Sequence, residues 1–574
     1  MKNNLFVADF ETTVPEEGTP REDMETRVWA FAVASISDVE VVARGTSIDA
    51  FMGFCCANPG ATIYFHNLKF DGQFILSWLL NNGFTWTDER KDKPHTFRSL
   101  IGDMGQFYKL EVVFGYLSDG HQNRQKAGKC AFLDSLKKLN FSVAEIAKAF
   151  NLPMSKGEID YCLPRPEGYE PTLEEWDYVD RDVLIVAAAL NSMFSEGLDA
   201  MTAGADALNY FKETIGGKER FEKWFPILPK DVDDFIRKAY KGGFTYLNPT
   251  KKNQDFAGCV YDVNSMYPWA MHEKPLPYGK PFKFEGAPNP KRSNYLWIAQ
   301  VRVSFALKKG KIPCIQLKNN PRYLETEYLT HNTSEDGEVL TITSVDWALI
   351  QECYNVEVHE WFGGYYFKNK TGLFNAHIDH FMEQKANNKG AKRTQAKLML
   401  NSLYGKFGTN PEKRNKIPYL DERGVVRYRL SELDIDKPVY TALACFVTAY
   451  ARENIILAAI AAGERFIYCD TDSLHIIGTE PLEGIEVHET RLGAYKLEST
   501  FQHSRFIRAK TYLEEDENGL TVKCAGMPKN VKKQVTFNDF FEGAKYDGKL
   551  IPRNVRGGCV LLPDTFTIKV TATP

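Results

Sequence analysis

The sequence predicts a multidomain protein, α/β in its first 200 or so residues and mixed α/β and α+β beyond them. Three observations carry that expectation. The chain has 574 residues, several times the usual size of one domain. Its 43% hydrophobic, 25% charged and 13% aromatic residues fit a globular chain with large cores and exclude a disordered or fibrous one. Its first third alternates short apolar runs with helix-like ones, the pattern of a sheet with helices on its faces.

The elements follow in order. Residues 5–8, 28–35, 62–65, 107–114 and 130–133 read as strands, and a helix runs from Thr172, an N-cap followed by Glu174 and Glu175, to about Phe194. The turn Met201-Thr202-Ala203-Gly204 marks a boundary. Residues 205–375 mix turn-rich strands with Pro and Gly breaks, and no topology can be read from them. Residues 374–403 read as one helix that stops at Gly405, and 416–430 as two extended runs around the loop Asp421-Glu422-Arg423-Gly424. A helix over 441–462 leads into the apolar strand 466–468, and the chain from about 500 onward reads as short strands and loops.

Composition narrows the function. Lys and Arg number 71 against 75 Asp and Glu, a net charge of -4, which excludes a uniformly basic coat. Between His380 and Lys416, however, nine Lys and Arg face only Glu383 and Glu412, the concentration expected where phosphates are handled. The 11 cysteines are scattered, with no C-x-x-C pair or partnering histidines, so neither zinc ligation nor a disulfide framework is supported and a reducing compartment fits. No run approaches the roughly 20 apolar residues that span a bilayer, and the start Met1-Lys2-Asn3-Asn4 leads directly to a short apolar run carrying Asp9. Neither a transmembrane helix nor a signal peptide is expected.

Carboxylates gather in two groups. Asp9 and Glu11 end an apolar run, and their i, i+2 spacing puts both on one face of a strand. Asp71 closes the string His66-Asn67-Leu68-Lys69-Phe70-Asp71, and Asp182 lies four residues after Tyr178 on the expected helix. Several carboxylates plus a group to orient water make up the inventory of two-metal phosphodiester hydrolysis. Farther on, Asp262 ends a short apolar run with Tyr267 five residues later, and Asp470 and Asp472 sit between the apolar runs 466–468 and 474–477, acids at the tip of a strand-turn-strand. Asp262 and Asp472, brought together, would offer hard oxygen ligands to Mg²⁺. Between them Arg393, Lys397, Asn401 and Tyr404 recur at spacings of four, four and three, one continuous helix face suited to a triphosphate.

These motifs together resemble a known family. Residues 9–11, 67–71 and 178–182 resemble the D-x-E, N-x-x-x-D and Y-x-x-x-D motifs of proofreading exonucleases. Residues 262–268, 397–405 and 468–473 resemble motifs A, B and C of family B DNA polymerases, 240–244 the Y-x-G-G segment between the two activities, and 510–512 the K-x-Y motif. Segments 66–72, 134–139, 397–407 and 564–569 further resemble the protein-primed polymerases of small tailed bacteriophages, the phi-twenty-nine type. The resemblance covers essentially the whole chain.

It implies a ribonuclease-H-like 3′-to-5′ exonuclease domain (1–202) followed by a right-hand polymerase: palm (203–273 and 441–524), fingers (372–408) and thumb (525–574). It also implies two insertions, 274–371 contacting terminal protein and duplex, and a 409–440 hairpin closing a tunnel around the template. Asp262, Asp472 and the Val263 carbonyl would bind the polymerase ions, and Asp9, Glu11, Asp71 and Asp182 those of the exonuclease. Each site would hold two Mg²⁺, with Mn²⁺ as a substitute. Tyr178 would orient water and Lys156 support the exonuclease acids. Tyr267, Asn401 and Tyr404 would form the nucleotide pocket, and Lys385, Arg393 and Lys397 would meet its phosphates. Asn67, Phe70, Ser135, Leu136 and Phe141 would contact a single strand, and Tyr240, Gly242, Gly243, Lys510 and Tyr512 the primer-template. Arg393 stands where the family often has Lys, and the 512–523 segment is short.

The implied partners are DNA template and primer, deoxynucleoside triphosphates and a terminal protein primer, with no membrane. A monomer in the cytoplasm of an infected bacterium, processive and strand-displacing, is the expectation. Two other readings are a stand-alone exonuclease with a degenerate polymerase half and a non-catalytic DNA-binding scaffold. The six acids at 9, 11, 71, 182, 262 and 472 count against both, since a scaffold has no use for unpaired carboxylates that repel DNA and one another.

Overall fold

Alternation in the first strand decides how the N-terminal unit is built. In β1 (Leu5–Thr12), Phe6, Ala8 and Phe10 enter one apolar core and Val7 the other, so Asp9 and Glu11, in phase with Val7, lie on the second face. The computed structural model describes residues 4–16, 18–89, 91–118, 125–316, 328–332 and 336–570. Parts of the first expected insertion and the last four residues lie outside that range.

Around β1 stand β2 (Val28–Ser35), β3 (Glu40–Gly45), β4 (Thr62–Phe65), β5 (Thr85–Trp86), β6 (Thr96–Ile101), β7 (Phe107–Ser118) and β8 (Gln125–Asp134), an eight-stranded sheet in the order β3-β2-β1-β4-β8-β7-β6-β5. β4 is parallel to both β1 and β8, while β2 and β7 run antiparallel to their partners. Helices α1 (Ile48–Ala57) and α2 (Leu68–Asn81) cover the phenylalanine face, where Phe10 meets Phe51 and Phe65 edge to face at centroid distances of 4.8 and 5.0 Å. Helices α3 (Val143–Ala149) and α4 (Leu173–Ser195) belong to the other face. α4 starts where Thr172 predicts: its hydroxyl accepts the Glu175 N–H at 3.2 Å while Glu175 accepts the Thr172 N–H at 2.9 Å.

The second half is organised around the helix Thr441–Ala462 and a five-stranded sheet that carries Gly258–Val263 flanked by Ser473–Ile477 and Tyr495–Phe501. That helix corrects the expectation that no segment is apolar enough for a membrane. An 18-residue window of this helix has a mean hydropathy of 1.5, but 78% of that window is buried, so most of its apolar surface faces protein.

The described residues of 276–370, unreadable in sequence, include a four-stranded antiparallel sheet with the helix Ser344–Cys353. The single helix expected over 374–403 is two, Asn375–Asn387 and Gly390–Phe407, broken at the extended residues Asn388 and Lys389. Gly390 has φ +56°, and a Cβ there would press on Asn151 at 3.1 Å, so the break needs glycine. Gly405 does not stop the second helix, because Phe407 is pinned in a cluster with Phe211, Phe221 and Phe225; packing overrides propensity.

The hairpin Lys416–Leu420 and Val426–Leu430 forms as expected. The short 512–523 segment is a tight hairpin in which Tyr512 pairs with Lys523. The C-terminal region does not consist of short strands only: Lys545–Val555 and Gly558–Thr567 make one long hairpin, whose tip packs on α2.

Candidate active sites

The first site grows from β1. Asp9 and Glu11 line a cavity of about 680 Å³ with Asp71 from the first turn of α2, Tyr178 and Asp182 from α4, and Lys156. All four acids expected together are together. Glu11, Asp71 and Asp182 are almost fully buried. Burial, then repulsion from Asp182, pushes Asp9 up to about 7, and burial followed by the Asp9 charge lifts Glu11 and Asp71 well above the usual range. Lys156 opposes this by an ion pair with Asp182; burial alone would lower its pKa, but the Asp182 charge and hydrogen bond raise it.

Asp71 Oδ1 and Asp182 Oδ1 are buried with no hydrogen-bond partner among the described residues. Orphaned carboxylate oxygens in a cluster of like charge are what a divalent cation would satisfy. Among the described residues no three acid, His or Cys side chains are closed into a chelate.

The second site lies on the five-stranded sheet. Asp262 ends Gly258–Val263 opposite Ser473, and the Val263 N–H donates to the Asp472 carbonyl at 2.9 Å. Burial, then Asp472, pushes Asp262 up to about 7, while Lys397 draws it down. Glu498 raises both Asp262 and Asp472 and is a third carboxylate that sequence reasoning missed, lying in the exposed middle of the strand Tyr495–Phe501. Thr471 turns the chain at φ +62°, its N–H held by the Phe244 carbonyl at 2.7 Å. A Cβ at Gly243 would stand 2.6 Å from the Thr471 hydroxyl, so the Gly242-Gly243 segment packs directly on the acid turn.

Tyr267 and Tyr404 lie with ring centroids 4.1 Å apart, and the Tyr240 phenol is close enough to interact electrostatically with both. Lys385 donates to the Ser265 hydroxyl at 3.2 Å. Burial, then the charges of Arg393 and Lys397, lowers its pKa, so three cations converge beside the acids. Such a cluster of cations next to the carboxylates is matched to polyanionic phosphate.

A profile of the family described as DNA polymerase type B, organellar and viral, matches residues 55–489. The chain belongs to that family. It is a DNA-directed DNA polymerase. The DNA polymerase of Bacillus phage Nf is 43% identical, with 99% of this chain and 100% of the relative covered. That of Bacillus phage phi29 is 42% identical at the same coverage, and that of Streptococcus phage Cp-1 is 33% identical over 99% of each. The solved phi29 DNA polymerase complexed with primer-template DNA and incoming nucleotides matches at TM-score 0.90 and 42% identity, covering 99% of this chain and 100% of that one, and an orthorhombic crystal form of phi29 polymerase matches at 0.92 and 41%, with the same coverage. The fold is accordingly an exonuclease domain followed by palm, fingers and thumb.

Within the polymerase the remaining expected contacts divide. Asn67, in left-handed conformation at φ +82°, and Phe70 line the first cavity. Leu136 and Phe141 instead line a second, basic cleft of about 760 Å³ with Lys137, Lys397, Asn401 and Lys406. Ser135 is 0% exposed and donates to the Phe65 carbonyl at 3.1 Å, so its hydroxyl shapes the loop. Lys510 is engaged by Asp470, both Nζ–O distances being 2.9 Å, and Tyr512 is buried against Phe506 in a stack 4.9 Å apart; both brace the acid turn.

Sequence reasoning missed His66 and Tyr161. His66 bridges Ser135 at 3.0 Å and the Phe141 carbonyl at 2.7 Å. Tyr161 hydrogen-bonds Tyr178, with 2.5 Å between the oxygens.

Proposed function

We propose that this polymerase adds nucleotides at the Asp262–Asp472 site and removes them from 3′ ends at the Asp9–Glu11–Asp71–Asp182 site. The observation that carries the second activity is the buried, mutually repelling acid cluster with two orphaned oxygens in a cavity apart from the first pair of acids. The same proposal assigns residues 1–202 to degradation, 203–273 and 441–524 to palm, 372–408 to fingers, 525–574 to thumb, and 274–371 and 409–440 to insertions.

Asp262, Asp472 and the Val263 carbonyl would hold one pair of Mg²⁺ ions, or Mn²⁺ in their place, and Asp9, Glu11, Asp71 and Asp182 another. Such ions would supply neutralisation of charge at phosphorus and a lowered pKa for the attacking hydroxyl or water. The chain's own groups do the rest. Lys385, Arg393 and Lys397 bind and orient the triphosphate of the incoming deoxynucleotide. The Tyr267 ring against Tyr404 forms the floor under its sugar and leaves no room for a 2′-hydroxyl. At the other site Tyr178, kept protonated by burial and by the nearby Asp182 and Glu11 charges, orients the attacking water, and Asn67 and Phe70 hold the frayed strand. Asn401, Leu136 and Phe141 flank the basic cleft along which a template or displaced end passes.

The remainder of the reading is that of a phage replicase: priming by a terminal protein as well as by DNA, processive strand-displacing synthesis, action as a monomer, and location in the cytoplasm of the infected bacterium with no membrane attachment. The test is primer extension and primer degradation measured side by side with and without Mg²⁺. Both activities appearing only with the ion supports the proposal; extension without any degradation of single-stranded ends contradicts it.

A further inference from the structure

One buried amide joins three distant parts of the chain. Gln73 lies on α2 and is 5% exposed. Its Nε2 donates to the Lys69 carbonyl at 3.1 Å, which fixes the orientation of the amide. Its oxygen accepts two hydrogen bonds, from the Tyr428 hydroxyl at 2.6 Å and from Asn554 Nδ2 at 2.9 Å. Tyr428 belongs to the hairpin Lys416–Leu430 and Asn554 to the C-terminal hairpin. Asn554 also donates to the Val426 carbonyl at 3.1 Å, so the two hairpins are tied to each other at the point where both are tied to α2.

Apolar packing supports the junction without defining it. Val426 and Cys559 are buried in the same core as Phe10 and Phe74, and a Cβ at Gly558 would fall 2.4 Å from the Phe74 ring, so the C-terminal hairpin approaches α2 as closely as backbone allows. Close packing of this kind tolerates sliding, whereas a shared acceptor with two donors has one satisfying geometry. The position matters because Leu550, Val560, Leu561 and Pro563 of the C-terminal hairpin form the roof of the cavity that holds Asp9 and Glu11.

We propose that Gln73 is a positioning residue that sets both hairpins against the N-terminal unit, through Asn554 fixing the roof over the degradation site and through Tyr428 fixing the hairpin beside the DNA path. This rests on the proposed exonuclease reading of that cavity. Two separable outputs follow from one amide. The Asn554 bond governs how a single strand enters the acid cavity, and the Tyr428 bond governs how long the enzyme stays on DNA.

The experiment uses the full-length enzyme and three variants, Gln73→Leu, Asn554→Leu and Tyr428→Phe. Each is assayed for degradation of a single-stranded oligonucleotide, for product length on a primed template with a trap for free enzyme, and for insertion of one nucleotide. Gln73→Leu leaves single-nucleotide insertion unchanged, raises the KM for the single strand about tenfold with kcat nearly constant, and shortens products under trap severalfold, the scale of one or two lost hydrogen bonds. Asn554→Leu reproduces the KM change, Tyr428→Phe the shortening, and adding either to Gln73→Leu produces no further loss of the same kind. If Gln73→Leu leaves both KM and trapped product length as in the unmodified enzyme, or lowers kcat for insertion and degradation alike, the positioning role is wrong. If the unmodified enzyme fails to degrade the oligonucleotide at all, the exonuclease reading fails instead.

Discussion

Replacing Lys138 by Met should loosen the segment that ends in Phe141 more than any surface change could. The Lys138 side chain is 0% exposed and its partner Asp206 is 2% exposed, the two forming a buried ion pair between the N-terminal unit and the first helix beyond it. The ammonium also lies 5.8 Å from the centre of the Phe194 ring. Burial lowers the pKa of Lys138 and raises that of Asp206, each opposed by the other's charge, so for both partners burial outweighs the attraction of the pair. Removing one member is costly because Asp206 keeps only the Ala200 N–H at 2.8 Å. Such a stranded buried charge costs about 3–5 kcal/mol, which at about 1.4 kcal/mol per decade corresponds to roughly two to three and a half decades in local opening. The amides that report it are those of Lys138 and Leu139, bonded to the Ser135 carbonyl at 3.0 and 2.8 Å. Hydrogen exchange followed by mass spectrometry on peptides spanning 134–141 should show that acceleration in Lys138→Met, and substantial recovery in Lys138→Met with Asp206→Leu, where no charge is stranded. Exchange in the single variant within about threefold of the unmodified enzyme would refute the reasoning.

His377 makes a pH prediction. It is buried among Tyr210, Phe211 and Phe381, and burial lowers its pKa to about 4. The unfolded chain therefore binds the extra proton first, so stability is complete above about pH 6.5 and falls by about 3 kcal/mol as the pH drops toward 4. Denaturant midpoints across that window should fall less steeply in His377→Phe, and parallel profiles would contradict the assignment. Deleting residues 416–430 should leave insertion of one nucleotide nearly intact while shortening products made under a trap, because a hairpin that closes around DNA acts by topology; unchanged lengths would make it a mere connection.

The readable parts of the sequence were those whose signal is local. The Thr172 cap, the apolar run 28–35, the Asp421–Gly424 loop and the 441–462 helix stand where their own residues put them. The acids were legible as sets because i, i+2 and i, i+4 spacings fix a shared face before any tertiary structure exists. What escaped depends on distant partners. Gly405 reads as a helix stop until Phe407 finds the Phe211–Phe225 cluster, and Asn388-Lys389-Gly390 reads as helix until Gly390 has to pass Asn151. That Lys510 meets Asp470 and Tyr512 stacks on Phe506 is likewise set by the fold and not by neighbours in the chain. Glu498 and Tyr161 gain meaning only from the acids and the phenol they meet in space. The sheet over 276–370 pairs strands far apart in the chain, a pattern that alternation alone does not specify.

The central claim is that one chain carries two chemically independent sites, and reciprocal acid variants on a single labelled primer-template test it most directly. Asp9→Ala with Glu11→Ala should abolish removal of the primer 3′ end and leave extension at close to its unmodified rate. Asp262→Asn or Asp472→Asn should abolish extension and leave degradation of the single strand. That double dissociation is the predicted result. Loss of both activities in a variant that still unfolds at the unmodified midpoint, or undiminished degradation by Asp9→Ala with Glu11→Ala, would contradict it.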